Sequence, residues 1–280
     1  MISLRARAAP AGLSDPDGRW EREASDAGTR VARGEGVRRR AADGEEHEDD
    51  AVHRVAVQRR AGFEFESQWS VRDHGDLTEE TAVLLVDPYN DFLSEGGSIW
   101  PRLESVAKEV GLLHHLRCVV AAARGAGVRV VFVPHRRWEP GDYETWDHPN
   151  PTQRAVMERH SFARGTWGGE FHADFRPRPG DVVAQEHWGQ SGFANTDLDL
   201  RLKQHGISHV VVAGLLANTC IESTGRFAME LGYHVTLVRD ATAAFLPEMM
   251  HAAHELNGPT YAHAITTTDE ITAAFGGARA

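Results

Sequence analysis

The sequence predicts an α/β protein, a three-layer α/β/α sandwich built around a six-stranded, mainly parallel sheet. Two features of the chain from Thr81 onward carry that prediction: short runs of continuous apolar residues recur, and amphipathic stretches separate them. A strand that is apolar at every position must be covered on both faces, and a helical crossover is what returns a chain to a parallel neighbour. Size and composition agree. With 280 residues, 41% hydrophobic and 25% charged, the chain has enough apolar surface for one substantial core.

Taken in order, Ala82 to Val86 (AVLLV) reads as a buried strand. A helix is predicted from about Glu104 to Arg124, ended by Gly125 and Gly127. Val128 to Val133 is a second strand, stopped by Pro134, and Asp181 to Ala184 is a third. A helix from Leu198 to Gln204 ends at Gly206, and His209 to Ala213 (HVVVA) is a fourth strand. A helix from about Cys220 to Leu231 is closed by Gly232, and His234 to Val238 is a fifth strand. Glu248 to Leu256 reads as helical, and Ala262 to Ile265 as a short sixth strand. The layering is Rossmann-like, and in such sheets ligands bind outside the carboxyl ends of the strands.

The chain changes character near Asp76. Residues 1–75, with Arg38-Arg39-Arg40 and the acidic run from Glu45 to Asp50, hold no sustained apolar period. Such a segment cannot bury enough apolar surface to offset its ordering entropy. It is expected to be a disordered extension, or the product of a start codon assigned too far upstream. The run from Phe63 to Val71 is its one candidate for packing on the domain, which spans 76–280. No secretory signal is read from it, because no apolar segment follows the arginines.

The net charge of -11 argues against a nucleic-acid partner, whose phosphates call for a basic surface. No apolar run approaches the ~20 residues of a membrane-spanning helix. Two cysteines, Cys118 and Cys220, make no disulfide framework and suit a reducing cytoplasm. The only lysines are Lys108 and Lys203.

Three strand ends carry reactive side chains. The first strand runs into Asp87, the third delivers Glu186 and His187, and the fourth leads through Gly214 and Leu215-Leu216-Ala217-Asn218-Thr219 to Cys220. A thiol at a helix start is expected to have its pKa lowered by the helix dipole and free N–H groups. With a carboxylate to take its proton, it becomes the nucleophile of an acyl transfer. Singly, each residue has a plainer explanation: a small buried hydrophobe, a helix cap, a satisfied polar group. Cys118, inside an apolar helix, is assigned that plainer role. The joint occurrence at three strand ends favours chemistry.

The motifs resemble those of the isochorismatase-like cysteine hydrolases, a superfamily that includes nicotinamidases and N-carbamoylsarcosine amidases. Val83 to Phe92 resembles the first signature, and Ser191-Gly192-Phe193 with Thr196-Asp197-Leu198 the middle one. Gly214 to Cys220 with Ile221-Glu222-Ser223-Thr224 resembles the nucleophile turn, and Asp240-Ala241 the downstream Asp-Ala. The resemblance covers roughly Thr81 to Phe275. It implies an Asp–Lys–Cys triad in which Asp87 and Cys220 match, while His187 stands where the lysine belongs. A protonated histidine carries the same charge. The expected constellation is therefore Asp87, His187 and Cys220, with Glu186 either competing for His187 or pointing away.

The resemblance further implies an oxyanion hole from the backbone N–H groups of Leu216 and Cys220, a cis peptide at Leu215–Leu216, and a homo-oligomer. Tyr89, Phe193, Trp138 and Arg136 are candidate substrate contacts, within or beside a long loop from His135 to Gly180 that also holds Trp146 and Trp167. Equally, those aromatics could form a minor core under the loop or an oligomer contact. No cofactor is expected. Nicotinamidases hold a divalent ion after the second strand, but here Pro134-His135-Arg136-Arg137-Trp138 lacks their Asp-x-His pattern and carries two arginines, so no metal is expected there.

The leading functional expectation is hydrolysis of a C–N bond in a small amide, carbamoyl or imide-like molecule through a covalent Cys220 intermediate. The alternatives are vinyl-ether hydrolysis of the isochorismatase type, or a non-catalytic binding or assembly protein on the same fold.

Overall fold

The computed structural model describes residues 79–277. The expectations for residues 1–75, including Phe63 to Val71, lie outside the described residues.

Strand β1 (Thr81–Val86) is buried at every position. It is flanked by β2 (Arg129–Val133) on one side and β4 (His209–Leu215) on the other, both parallel to it. With β3 (Val182–Val183), β5 (His234–Ala243) and β6 (Ala264–Thr266) the sheet order is β3-β2-β1-β4-β5-β6, and every pairing is parallel. The order reverses between β1 and β4. A crevice opens at such a switch point, because the connections leaving its two strands run to opposite faces.

Alternation along the strands divides the core in two. Val83, Leu85, Val130, Phe132 and Val211 face one apolar cluster, whereas Ala82, Leu84, Val131, Val133 and Val210 face the other. Helices α1 (Asn90–Leu93), α2 (Trp100–Glu109), α3 (Leu112–Ala126) and α8 (Thr268–Gly277) cover the first face through residues such as Leu93, Leu103, Leu116 and Phe275. Helices α5 (Leu198–Gln204) and α6 (Glu222–Glu230) cover the second through Leu198, Leu202 and Ala228. Each large aliphatic side chain so buried contributes about 1.5–3 kcal/mol.

Several boundaries differ from the sequence expectation, each for a local reason. The single helix expected from Glu104 to Arg124 is two helices, because Gly111 takes φ +68 and breaks the ladder between them. Gly127 caps α3 as expected, but Gly125 lies inside it. The long segment after β2 contains helix α4 (Pro151–Arg159), opened by a reciprocal Asn150–Gln153 capping box with Pro151 at the first turn. Helix α7 (Pro247–His251) continues over Ala252–Asn257 as a turn of larger radius, π-helical in type. Cys118 is half-exposed rather than in the core, with its sulfur 3.6 Å from His114 Nε2.

Candidate active site

Asp87 leaves β1 at the switch point. It adopts φ +53, a region Asp tolerates better than most residues. Its side chain is completely buried. Beside it, Gly214 of β4 has φ +119, and any Cβ there would collide with the Val86 backbone. That glycine lets β4 close tightly on the strand that carries Asp87. The peptide between Leu215 and Leu216 is cis, as the resemblance implied.

Cys220 lies within a wide turn of π-helical type, Ala217–Ile221, that leads into α6. The expectation of a thiol acidified at a helix start is corrected. Burial pushes the Cys220 thiol well above the ordinary range, and the Asp87 charge and a hydrogen bond to Asp87 push it further. A contact from Thr219 Oγ1 at 3.9 Å and a backbone hydrogen bond from Leu216 oppose the shift without reversing it. In the low dielectric of the site, a second negative charge beside Asp87 costs more than those donors return.

His187 follows β3, where an isolated bridge continues the sheet by pairing it with His135. The ring is fully buried, with Nε2 3.1 Å from Asp87 Oδ1 and Nδ1 3.0 Å from the Gly189 carbonyl oxygen. A carbonyl only accepts, so Nδ1 carries a hydrogen. Two acceptors cannot face each other at 3.1 Å, so one further proton lies between Nε2 and Oδ1. Asp87 Oδ2 has no partner of strict hydrogen-bond geometry among the described residues. One donor atom each from Asp87, His187 and Cys220 lies within 4.8 Å of the others.

Glu186, one residue earlier, points away. Its carboxylate accepts from Arg137 Nε at 2.6 Å, from the Arg137 backbone N–H at 3.2 Å and from Arg164 at 2.9 Å. Burial alone would raise its pKa, but the hydrogen bonds and charge of Arg137, with Arg164 behind them, hold it below the usual carboxylate range.

The other candidates scatter around this centre. Tyr89 is buried and donates to the His135 carbonyl at 2.8 Å. Phe193 belongs to the same apolar cluster as Cys220. Trp138 stacks on His160 at 3.8 Å between ring centroids. The Arg136 guanidinium already holds Asp142 through two bonds, reaches Glu139, and lies over the Trp188 ring. Trp146 packs on Trp188 and Tyr143, whereas Trp167 is 55% exposed.

The sequence reading passed over three residues that build the site. Asp91 accepts from the backbone N–H of Ser98 at 2.8 Å and of Phe162 at 2.6 Å, clamping the long segment over β1. Asn90 holds the same segment by donating its side-chain amide to the Trp167 carbonyl at 2.8 Å. Both stand in the quoted motif, so the signal was present without a partner to explain it. His135 is buried, with no partner for Nε2 among the described residues and its Nδ1 donating to the Arg136 carbonyl at 2.9 Å. Burial, and secondarily the neighbouring His187, lowers its pKa to about 4. The other two signatures have structural work: Thr224 Oγ1 accepts from Gly192 N–H at 2.9 Å, and Asp240 caps α8 through Thr268.

Comparison with known proteins agrees with this geometry. Residues 81–269 match the isochorismatase domain. Ureidoacrylate amidohydrolase RutB of Caulobacter segnis is 32% identical over 207 residues, covering 70% of this chain and 86% of the relative. The cysteine hydrolase of Pseudomonas syringae pv. phaseolicola superposes with a TM-score of 0.58 at 26% identity, covering 73% of this chain and 95% of that one. N-carbamoylsarcosine amidase of Thermoplasma acidophilum gives a TM-score of 0.52 at 29% identity, over 68% of this chain and 97% of that one. A parallel sheet with a buried Asp and Cys meeting at its switch point, and a domain match over most of the described residues, place the chain in the isochorismatase family.

Proposed function

We propose that the protein is a hydrolase of a C–N bond in a small amide, carbamoyl or imide-like molecule, acting through a covalent intermediate on Cys220. The observation that carries this reading is the meeting of Asp87, His187 and Cys220 within 4.8 Å at the sheet's switch point. The names ureidoacrylate amidohydrolase and N-carbamoylsarcosine amidase support a substrate with a carbamoyl nitrogen.

The raised thiol pKa sets the order of events. Cys220 rests as a thiol, and its proton passes to Asp87 as sulfur attacks the carbonyl carbon. The oxyanion forms against the backbone N–H groups of Leu216 and Cys220. Asp87 returns the proton to the leaving nitrogen, the C–N bond breaks, and a thioester remains. Asp87 then deprotonates the attacking water, and collapse of the second tetrahedral intermediate frees the acid and the thiol. His187 donates to Asp87 Oδ1 while anchored on Gly189, so it orients the carboxylate as the family lysine would.

Among the substrate contacts, Phe193 has the strongest support, since it shares the Cys220 cluster. Tyr89 and Trp138 would line the approach from the β1 and β2 ends. Arg136 would bind a substrate carboxylate by exchanging one of its present partners, of which Glu139 is the most exposed. Ammonia release from a panel of ureido acids, N-carbamoyl amino acids and simple amides tests the reading, with Cys220→Ala as the control. A Cys220→Ala protein of full activity overturns it.

We also place the protein in the cytoplasm as a homo-oligomer. Two free cysteines fit a reducing compartment, and no helix among the described residues is long and apolar enough to cross a membrane. Phe227 and Leu231, one turn apart at the end of α6, are both more than 40% exposed and suit a subunit contact. A monomer mass by light scattering overturns the oligomer.

A further inference from the structure

We propose that Asp87, His187 and Cys220 form a binding site for a thiophilic divalent ion of the zinc class, and that occupancy by the ion blocks the nucleophile. The ligand set follows from the residue that departs from the family pattern. A lysine between Asp87 and Cys220 would bring a cation of its own and repel a metal. His187 brings an imidazole nitrogen instead, and one carboxylate, one imidazole and one thiol are a ligand set that zinc accepts.

Geometry supports the site at each ligand. Tetrahedral zinc with bonds of about 2.0–2.1 Å to nitrogen and oxygen holds those two atoms about 3.3 Å apart. His187 Nε2 and Asp87 Oδ1 are 3.1 Å apart. Sulfur and nitrogen ligands of the same ion stand about 3.6 Å apart, so a thiol within 4.8 Å closes the site with a shift on the order of 1 Å. His187 Nδ1 donates to the Gly189 carbonyl, the outer-shell bond that fixes a ligating histidine with its Nε2 lone pair facing the ion. The position between Nε2 and Oδ1 needs a positive charge in any state, and an ion supplies what the shared proton otherwise does. Asp87 Oδ2 is fully buried on the residue that faces the thiol, so the carboxylate has a second oxygen to offer an ion held between Nε2 and Sγ.

Binding balances as an exchange of protons for metal. The ion forms bonds to Asp87, Nε2 and Sγ, while the thiol proton and the proton held between Asp87 and His187 leave to solvent. The thiolate is then committed to the metal and cannot attack a carbonyl. Binding itself does not depend on the hydrolase reading; the inhibitory consequence rests on it.

Cobalt(II) titration of the full chain tests binding without any substrate. Cys118→Ser serves as the background, because Cys118 and His114 form a second, exposed thiol–imidazole pair. The expected result is one equivalent of cobalt with a thiolate-to-cobalt charge-transfer band in the near ultraviolet, and with proton release in weak buffer. The band should vanish in Cys220→Ser and in His187→Lys, each checked for folding by circular dichroism. Absence of the band from the Cys118→Ser protein overturns the site, as does a band that survives Cys220→Ser. Separately, zinc at ten times its Kd should cut ammonia release to about a tenth, reversed by a chelator. Unchanged or increased release overturns the inhibitory role and leaves the binding result standing. A protein that binds cobalt but shows no hydrolysis without metal counts against the hydrolase reading and not against the site.

Discussion

Glu186 and His187 are adjacent in the chain, yet one joins a partly exposed cluster of arginines while the other is sealed against Asp87. Successive side chains beyond a strand point to opposite sides. On the outer side, Arg136, Arg137 and Arg164 converge on Glu186 and hold its charge below the usual carboxylate range. On the inner side burial is deeper and the buried groups have few donors, so the Cys220 thiol rises and His135 falls to about 4. Position along the chain does not decide whether a charge is stabilised here. The depth of burial and the supply of donors on each side do.

The largest test of that contrast is Cys220→Ala. Removing the inner nucleophile should lower C–N hydrolysis at least about 1,000-fold with little change in the unfolding midpoint, measured by ammonia release and denaturant titration. Asp87→Asn comes next, with an expected loss of about 100- to 10,000-fold because the proton acceptor is gone. The same change should move the thiol titration downward, since it removes a negative charge beside sulfur. The pH dependence of iodoacetamide alkylation, read in a Cys118→Ser background, reports this. A thiol that already titrates in the ordinary range before Asp87 is changed would erase the inner half of the contrast.

Acid stability separates the two sides at smaller cost. His135 is neutral when folded, with its pKa lowered from 6.5 to about 4, so its contribution is complete above 6.5 and is lost as pH falls toward 4. That loss is about 3 kcal/mol across the window. A His135→Gln protein should show a flatter stability curve there in urea titrations. The smallest effect is expected outside. Glu186→Gln removes the negative charge and one of the two acceptor oxygens shared by three arginines, and should cost about 1–3 kcal/mol of stability. Because the Glu186 pKa is lowered, that difference is full above about pH 4.5 and shrinks as pH falls below it.

Much of the fold was legible in local pattern. Strands such as Val83-Leu84-Leu85 and Val210-Val211-Val212 are apolar at consecutive positions because both faces are covered, and that is visible in one dimension. Asp87, His187 and Cys220 could be named because each follows a readable strand. The breaks were harder. Gly111 is one glycine in a long amphipathic stretch, and nothing local says that it will turn left-handed while Gly125 will not. The Asn150-Pro151-Thr152-Gln153 capping box is a readable helix start inside a segment whose overall composition reads as loop.

The sequence alone determined the layered α/β architecture, the order of its motifs and the replacement of the expected lysine by His187. Only the tertiary structure decided the state of the thiol, where Glu186 points and the clamping roles of Asn90 and Asp91. The reason is physical. Secondary structure follows from patterns a few residues long, whereas a pKa or an orientation depends on charges and donors that the fold assembles from distant segments, such as Asp87 and His187, 100 residues apart.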